Sequence, residues 1–311
     1  MTPVSPIDGR LRSIIRDPGR IRQAEPLKRH TSIRIGGPAD YLVQAADRHE
    51  LSSLLRLAGE EGLPVYILGS GSNLVVSDEG VRGLVLRLTG EFGQLAVDGT
   101  TVRVGGGCSL PKLAHQVSQM GLGGIEFACA IPGTVGAGLV MNAGAHGGDM
   151  AQVVTEATVM WGDGRLERLG PEEIGFGYRS TCLQGTSAIV VEVVMALRPA
   201  DPAALQGAMR QHLDRRRATQ PLQHPNAGSI FKNPPGNYAG RLIERAGLKG
   251  ERVGDAQVSE KHANFIVNLG QATAKDVLTL MDRVRSTVEQ RFGVRLEAEV
   301  KIWGHNPWFL P

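Results

Sequence analysis

Cysteine is scarce in this chain of 311 residues: Cys108, Cys129 and Cys182 are odd in number, far apart and form no Cys-x-x-Cys pair. Neither a disulfide framework nor a thiolate zinc site is expected, and a reducing compartment fits best. Long apolar runs are lacking too, and none approaches the roughly 18 residues of a membrane-spanning helix. Asp8 and Asp17 interrupt the N-terminal stretch, where no apolar signal-peptide core follows the first arginines. A cytoplasmic protein is expected, with no membrane contact. Nor does one sign of charge dominate: 34 Lys and Arg oppose 31 Asp and Glu, a net of +3. The basic triplet Arg215-Arg216-Arg217 reads as a solvated helix face, not a nucleic-acid contact. The eight histidines show no metal-ligand spacing.

Glycine is the excess, with 41 residues concentrated in a few loops and following no period. This points to tight turns and to places where backbone lies close to a ligand. With 41% hydrophobic and 21% charged residues the composition is globular, and the length suits two or three domains.

Residues 1–25 read as a loosely ordered leader, followed by a first α/β segment over 26–90. There Tyr41–Val43 is an apolar strand, Asp47 caps a helix Glu50–Glu61, and Val65–Leu68 is a short buried strand. Gly69–Gly80 reads as a loop and Leu84–Leu88 as the next strand. A second, strand-rich segment spans 91–200. Asp98-Gly99 turns one hairpin and Asp163-Gly164 another, between Val153–Trp161 and Arg165–Leu169. Ser109 caps a helix through Met120, and the β-branched run Ile189–Leu197 reads as a central strand. A third α/β segment follows Pro199-Ala200-Asp201-Pro202 and fills 201–311. It holds a helix Ala203–Arg217, a loop Pro221–Asn237 and a strand Asn264–Asn268. A helix from Thr273 to Phe292 has Val277, Leu280, Val284, Val288 and Phe292 on one face, and Val294–Trp303 is a last strand.

Two glycine clusters carry chemical information. Gly69-Ser70-Gly71-Ser72-Asn73-Leu74 follows a buried strand and can offer amides and hydroxyls to a phosphate. It is neither a Walker loop nor a Rossmann fingerprint, because no Gly-Lys-Ser/Thr closes it and Leu74 holds the third glycine position. The second cluster runs from Ile131 to Ala145 and includes Pro132, Gly133, Thr134, Gly136, Gly138, Asn142 and Ala143. Its small side chains suit a flat, extended ligand, and the amides of Gly133–Gly138 suit a pyrophosphate. Together the clusters suggest a dinucleotide held along its length.

Ile131–Ala145, the Gly-Ser-Gly-Ser-Asn loop and Thr31–Gly37 together resemble an FAD domain of the vanillyl-alcohol-oxidase (PCMH) type in two subdomains. Gly177-Tyr178-Arg179-Ser180, Asn226–Pro234, Gln257–Phe265 and Leu296-Glu297-Ala298-Glu299-Val300 narrow the likeness. In this order, from about Thr31 to Gly304, the chain resembles the UDP-N-acetylenolpyruvoylglucosamine reductases, the MurB family. The resemblance implies a C-terminal α/β substrate-binding domain, non-covalent FAD, NADPH as hydride donor and UDP-N-acetylglucosamine enolpyruvate as substrate. It implies no obligate protein partner. It places catalysis on Arg179, Ser229 and Glu299. Strand alternation puts Glu297 and Glu299 on the same side, so spacing alone does not choose between them. Substrate contacts are implied at Tyr178, Gly228, Lys232, Asn233 and His262, the last with a structural role as the competing reading. The stretch from Arg179 to Ala200 lacks the tyrosine-bearing insertion of some members. Two other readings remain: another FAD oxidoreductase on this scaffold, or a non-catalytic flavin or UDP-sugar sensor.

Overall fold

The computed structural model describes residues 6–304. The helix Pro6–Ile14 carries Ile7, Leu11, Ile14 and the following Ile15 on one side. Leu11 and Ile15 are completely buried in a cluster with Leu51, Leu54 and Leu57 of the helix Arg48–Glu60. Arg10 pairs with Glu60 and Glu61, and Arg20 grips Glu50 through two bonds of 2.7 Å. The expected loose leader is therefore a packed helix and strand from residue 6 onward, while residues 1–5 lie outside the described residues. The i, i+4, i+7, i+8 spacing of its apolar residues was the available signal.

The chain divides into two compact units that interleave in sequence: 1–24, 40–69 and 83–214 form one, and 25–39, 70–82 and 215–311 the other. The three consecutive segments expected from the sequence do not describe this arrangement. In the first unit a five-stranded antiparallel sheet runs in the order Leu166–Leu169, Val154–Met160, Ile189–Ala196, Thr101–Gly105, Leu95–Asp98. The Ile189–Ala196 strand lies third of the five, as its β-branched run requires. Helices Leu110–Gln119 and Val135–Val140 cover this sheet, burying Leu110, Leu113, Val117, Val135 and Leu139. Most of a second sheet, with Val65–Ile67 parallel to Val81–Leu88, also belongs to this unit.

The second unit is built round the helix Ala274–Phe292, which starts in a Thr273–Asp276 capping box and ends at Gly293. Its core face buries Val277, Leu280, Val284 and Val288 against the antiparallel strands Arg252–Val253, Ala256–Val258 and Ile266–Asn268. Distant pieces of sequence join it for identifiable reasons. Asp78 accepts the amides of Ala274 and Lys275 at the helix start. Asn268 donates to the Ile33 carbonyl. Leu74–Val76, expected as loop, is a strand pairing in parallel with Lys301–Trp303. The expected last strand Val294–Trp303 is regular only over that final stretch.

Candidate active site

In the first unit Gly69, just beyond the strand Val65–Ile67, meets the second glycine cluster. A Cβ at Gly69 would stand 2.9 Å from Thr134 Oγ1 and 3.4 Å from Ala137 Cβ, so the strand end and the helix start approach as closely as they do only because residue 69 is glycine. Gly136 serves the chain itself: its Cβ would meet the Val190 and Gly106 carbonyls at 3.0 and 3.1 Å. The amides of this cluster are also partly spent. Val135 donates to Cys108, Gly136 to Gly106 and Gly138 to Thr134. Gly133 and Thr134 are half-buried just before the helix Val135–Val140. A Cβ at Gly133 would meet only Leu110, at 3.7 Å, and Ser70, Pro132 and Ala137 are exposed. The small-residue cradle of Gly69, Gly133 and Thr134 in the first unit, which side chains at Gly69 or Gly133 would fill, has the chemistry to take the phosphates of a dinucleotide.

Asn142, expected to touch cofactor, is tied to the protein's own backbone. It is buried with φ of 40°, accepts the Ala151 amide at 3.0 Å and donates to the Gly177 carbonyl at 2.9 Å. Gly177 opens the turn that carries Tyr178 and Arg179, closed by Gly177 N–H to Ser180 O at 2.9 Å and the reverse bond at 3.3 Å. Arg179 sits at φ 54°, a left-handed conformation costing a residue with a side chain about 1 to 3 kcal/mol. Its guanidinium carbon lies 5.7 Å from the centre of the exposed Tyr178 ring. Thr181 and Gln184 tie the turn further, both donating to the Val140 carbonyl, and Gln184 also to the Arg179 carbonyl at 2.9 Å.

In the second unit Ser229 and Glu299 lie on adjoining segments. Phe231 pairs with Ala298 in antiparallel fashion, flanked by Lys232 N–H to Glu297 O at 2.9 Å and Glu299 N–H to Ile230 O at 2.8 Å. The other edge of Phe231 is satisfied by Asn264, whose buried side-chain amide accepts the Phe231 N–H at 3.0 Å and donates to its carbonyl at 2.8 Å. Gly228, at positive φ, precedes Ser229, and Asn226 accepts its amide. Asn73 donates to the Glu299 carbonyl and accepts the Lys301 amide on its own carbonyl, which brings the first glycine loop to the same place. Ser32 bonds the Gly71 and Asn226 carbonyls, giving Thr31–Gly37 its role in that loop. Leu74 is buried in its strand.

Register separates the two glutamates that spacing left equivalent. Glu297 is exposed and pairs with Lys232 at 3.2 Å, whereas Glu299 is half-buried beside Asn73. Burial pushes the Lys301 ammonium below its usual pKa, helped by nearby Lys232. Asn233 accepts the Ala239 amide at the start of the helix Ala239–Arg245. His262 packs edge-on to Phe265 with Nδ1 accepting the Asn264 amide, and burial pushes its pKa down. Among the described residues no cluster of three or more metal-ligating side chains occurs.

Residues 220–303 match the family model of the UDP-N-acetylenolpyruvoylglucosamine reductase C-terminal domain, and residues 39–170 match an FAD binding domain. A relative from Symbiobacterium thermophilum, named UDP-N-acetylenolpyruvoylglucosamine reductase 2, is 88% identical over 99% of this chain and 100% of its own length. This chain belongs to the UDP-N-acetylenolpyruvoylglucosamine reductase family. A Moorella thermoacetica reductase of the family is 50% identical over 91% of the chain and 93% of its own. The crystal structure of the Thermus caldophilus reductase matches with a TM-score of 0.80 at 41% identity, covering 92% of this chain and 99% of that one. The resemblance read from the motifs is borne out at the level of family, fold and FAD binding. What motif reading missed were the supporting residues Asn264, Gln184 and Thr181. Asn264 had a signal, a buried amide inside a family-like segment; Gln184 had none.

Proposed function

We propose that this family member reduces UDP-N-acetylglucosamine enolpyruvate to UDP-N-acetylmuramate for peptidoglycan synthesis, in the cytoplasm, with NADPH as hydride donor. The observation that carries this reading is the whole-length identity to a relative named for that substrate. FAD, when bound, supplies the hydride carrier between NADPH and the enolpyruvyl ether. Gly69, Gly133 and Thr134 of the first unit would line its phosphates, and Ser70, Gly71, Ser72 and Asn73 are proposed as further cofactor contacts.

The roles of this chain's side chains follow from where charge develops. Hydride added to the methylene carbon drives the double-bond pair onto the adjacent carbon and into its carboxylate. A planar guanidinium matches that carboxylate at two points, and Arg179 is assigned to it. The carbanionic carbon is basic enough to take a proton from a well-placed hydroxyl, and Ser229 is assigned that transfer. Glu299, half-buried on the segment paired with that of Ser229, is assigned to orient the proton donor. Tyr178 and Lys232 are proposed substrate contacts. Asn233 and His262 act on the protein's own backbone, as their bonds to Ala239 and Asn264 indicate.

The test is NADPH oxidation by the purified yellow holoprotein, which should depend on added UDP-N-acetylglucosamine enolpyruvate. Denaturation should release FAD into solution. Oxidation that ignores the enolpyruvyl compound, or flavin that stays covalently attached, would overturn the reading in favour of another oxidoreductase or a sensor.

A further inference from the structure

Arg179 stands in a left-handed backbone conformation that residues with a side chain rarely adopt, and its neighbours brace it there. Three side chains hold the turn. Asn142 bonds the carbonyl that opens it, Gln184 bonds the carbonyl of Arg179 itself, and Thr181 follows it directly. Gln184 and Thr181 both reach the carbonyl of Val140, the last residue of the glycine-cluster helix. Asn142 lies two residues beyond that helix end. The arginine turn and the segment matching the FAD domain are therefore fastened at both sides of one short stretch, Val140–Asn142.

We infer that Gln184 is a positioning residue for the reaction, with Asn142 as its partner: together they fix Arg179 relative to the cofactor segment. Gln184 is the more telling of the two. Its one amide NH₂ spans Val140 O at 3.0 Å and Arg179 O at 2.9 Å, joining the two backbones directly. A carboxylate of the same shape offers no donor to either carbonyl. The inference rests on the assignment of Arg179 to the substrate carboxylate, and its test keeps the two apart.

Gln184→Ala, and the near-isosteric Gln184→Glu should the first fold poorly, would be compared with wild type and Arg179→Lys in the holoprotein. We expect kcat to fall about tenfold, with KM for the enolpyruvyl substrate within about twofold. FAD affinity, read from flavin fluorescence, should stay within about twofold of wild type. Reduction of the flavin by NADPH should keep its rate, while reoxidation by substrate slows. In the Arg179→Lys background Gln184→Ala should cost less than about threefold, because a residue that acts through Arg179 has little left to position. Additive losses in that double-mutant cycle, equal slowing of both half-reactions, or wild-type turnover would each overturn the inference. Wild-type turnover in Arg179→Lys would instead overturn the assignment of Arg179.

Discussion

The turn that carries Arg179 and the paired segments that carry Ser229 and Glu299 are held in opposite ways. The turn is strained at one residue and depends on Asn142, Thr181 and Gln184 reaching its carbonyls. The Ser229 segment pairs backbone to backbone with Ala298 and its neighbours through Ile230–Lys232, and the Asn264 side chain closes the far edge of Phe231. Backbone pairing is generic, since almost any side chain permits it and register follows from the burial of Leu296 and Val300. A left-handed arginine has no such generic support. Substitutions near the turn should therefore be felt as lost turnover, and those near the pair should split between side chains that bond its backbone, such as the prop Asn264, and those that do not.

The largest effect should come from the chemistry on the paired side. Ser229→Ala should leave flavin reduction by NADPH near the wild-type rate in stopped flow. Reoxidation by the enolpyruvyl substrate should slow by about a hundredfold or more, the scale of a positioned proton donor. Equal slowing of both half-reactions would mean that the serine shapes the flavin site instead. The prop comes next. Asn264→Ala strands a buried N–H and C=O of Phe231 and should cost about 2 to 3 kcal/mol in urea unfolding. A loss below about 1 kcal/mol would show that the pair stands without it. On the turn, Arg179→Lys keeps the charge but loses the two-point geometry, so turnover should drop about tenfold, equivalent to roughly 1.4 kcal/mol.

The smallest effect concerns pH. His262 Nδ1 accepts the Asn264 amide, and burial pushes its pKa below the ordinary value. The folded ring is neutral where the unfolded one begins to take a proton, so stability should be flat above about pH 6.5 and fall below it, down toward the lowered folded pKa. His262→Gln should flatten that decline in thermal melts between about pH 7.5 and 5.5. An identical decline in the variant would place the acid sensitivity elsewhere.

Much of this was legible in the sequence. The Asp47 and Thr273 caps, the Asp98-Gly99 and Asp163-Gly164 hairpins and the β-branched Ile189–Ala196 strand are local matters of propensity and hydrogen-bond chemistry, and the structure has them where expected. The motifs that identify the family were also readable, because each is a short run of residues. The glycine cluster shows where local reading stops. Its small residues were visible, but Gly136 is small for the sake of the Val190 and Gly106 carbonyls. Likewise the bonds by which Asn142 braces the turn were not visible in its glycine-rich surroundings, and the short strand Leu74–Val76 looked like loop because its partner lies at Lys301–Trp303. By itself the sequence determined most of the elements, the flavin class and the residue types available for chemistry. Only the tertiary structure decided which amides were already spent, which glutamate was paired at the surface and how distant segments interleave into two units. Those outcomes depend on hydrogen bonds and burial between residues far apart in the chain, and no local window contains both partners.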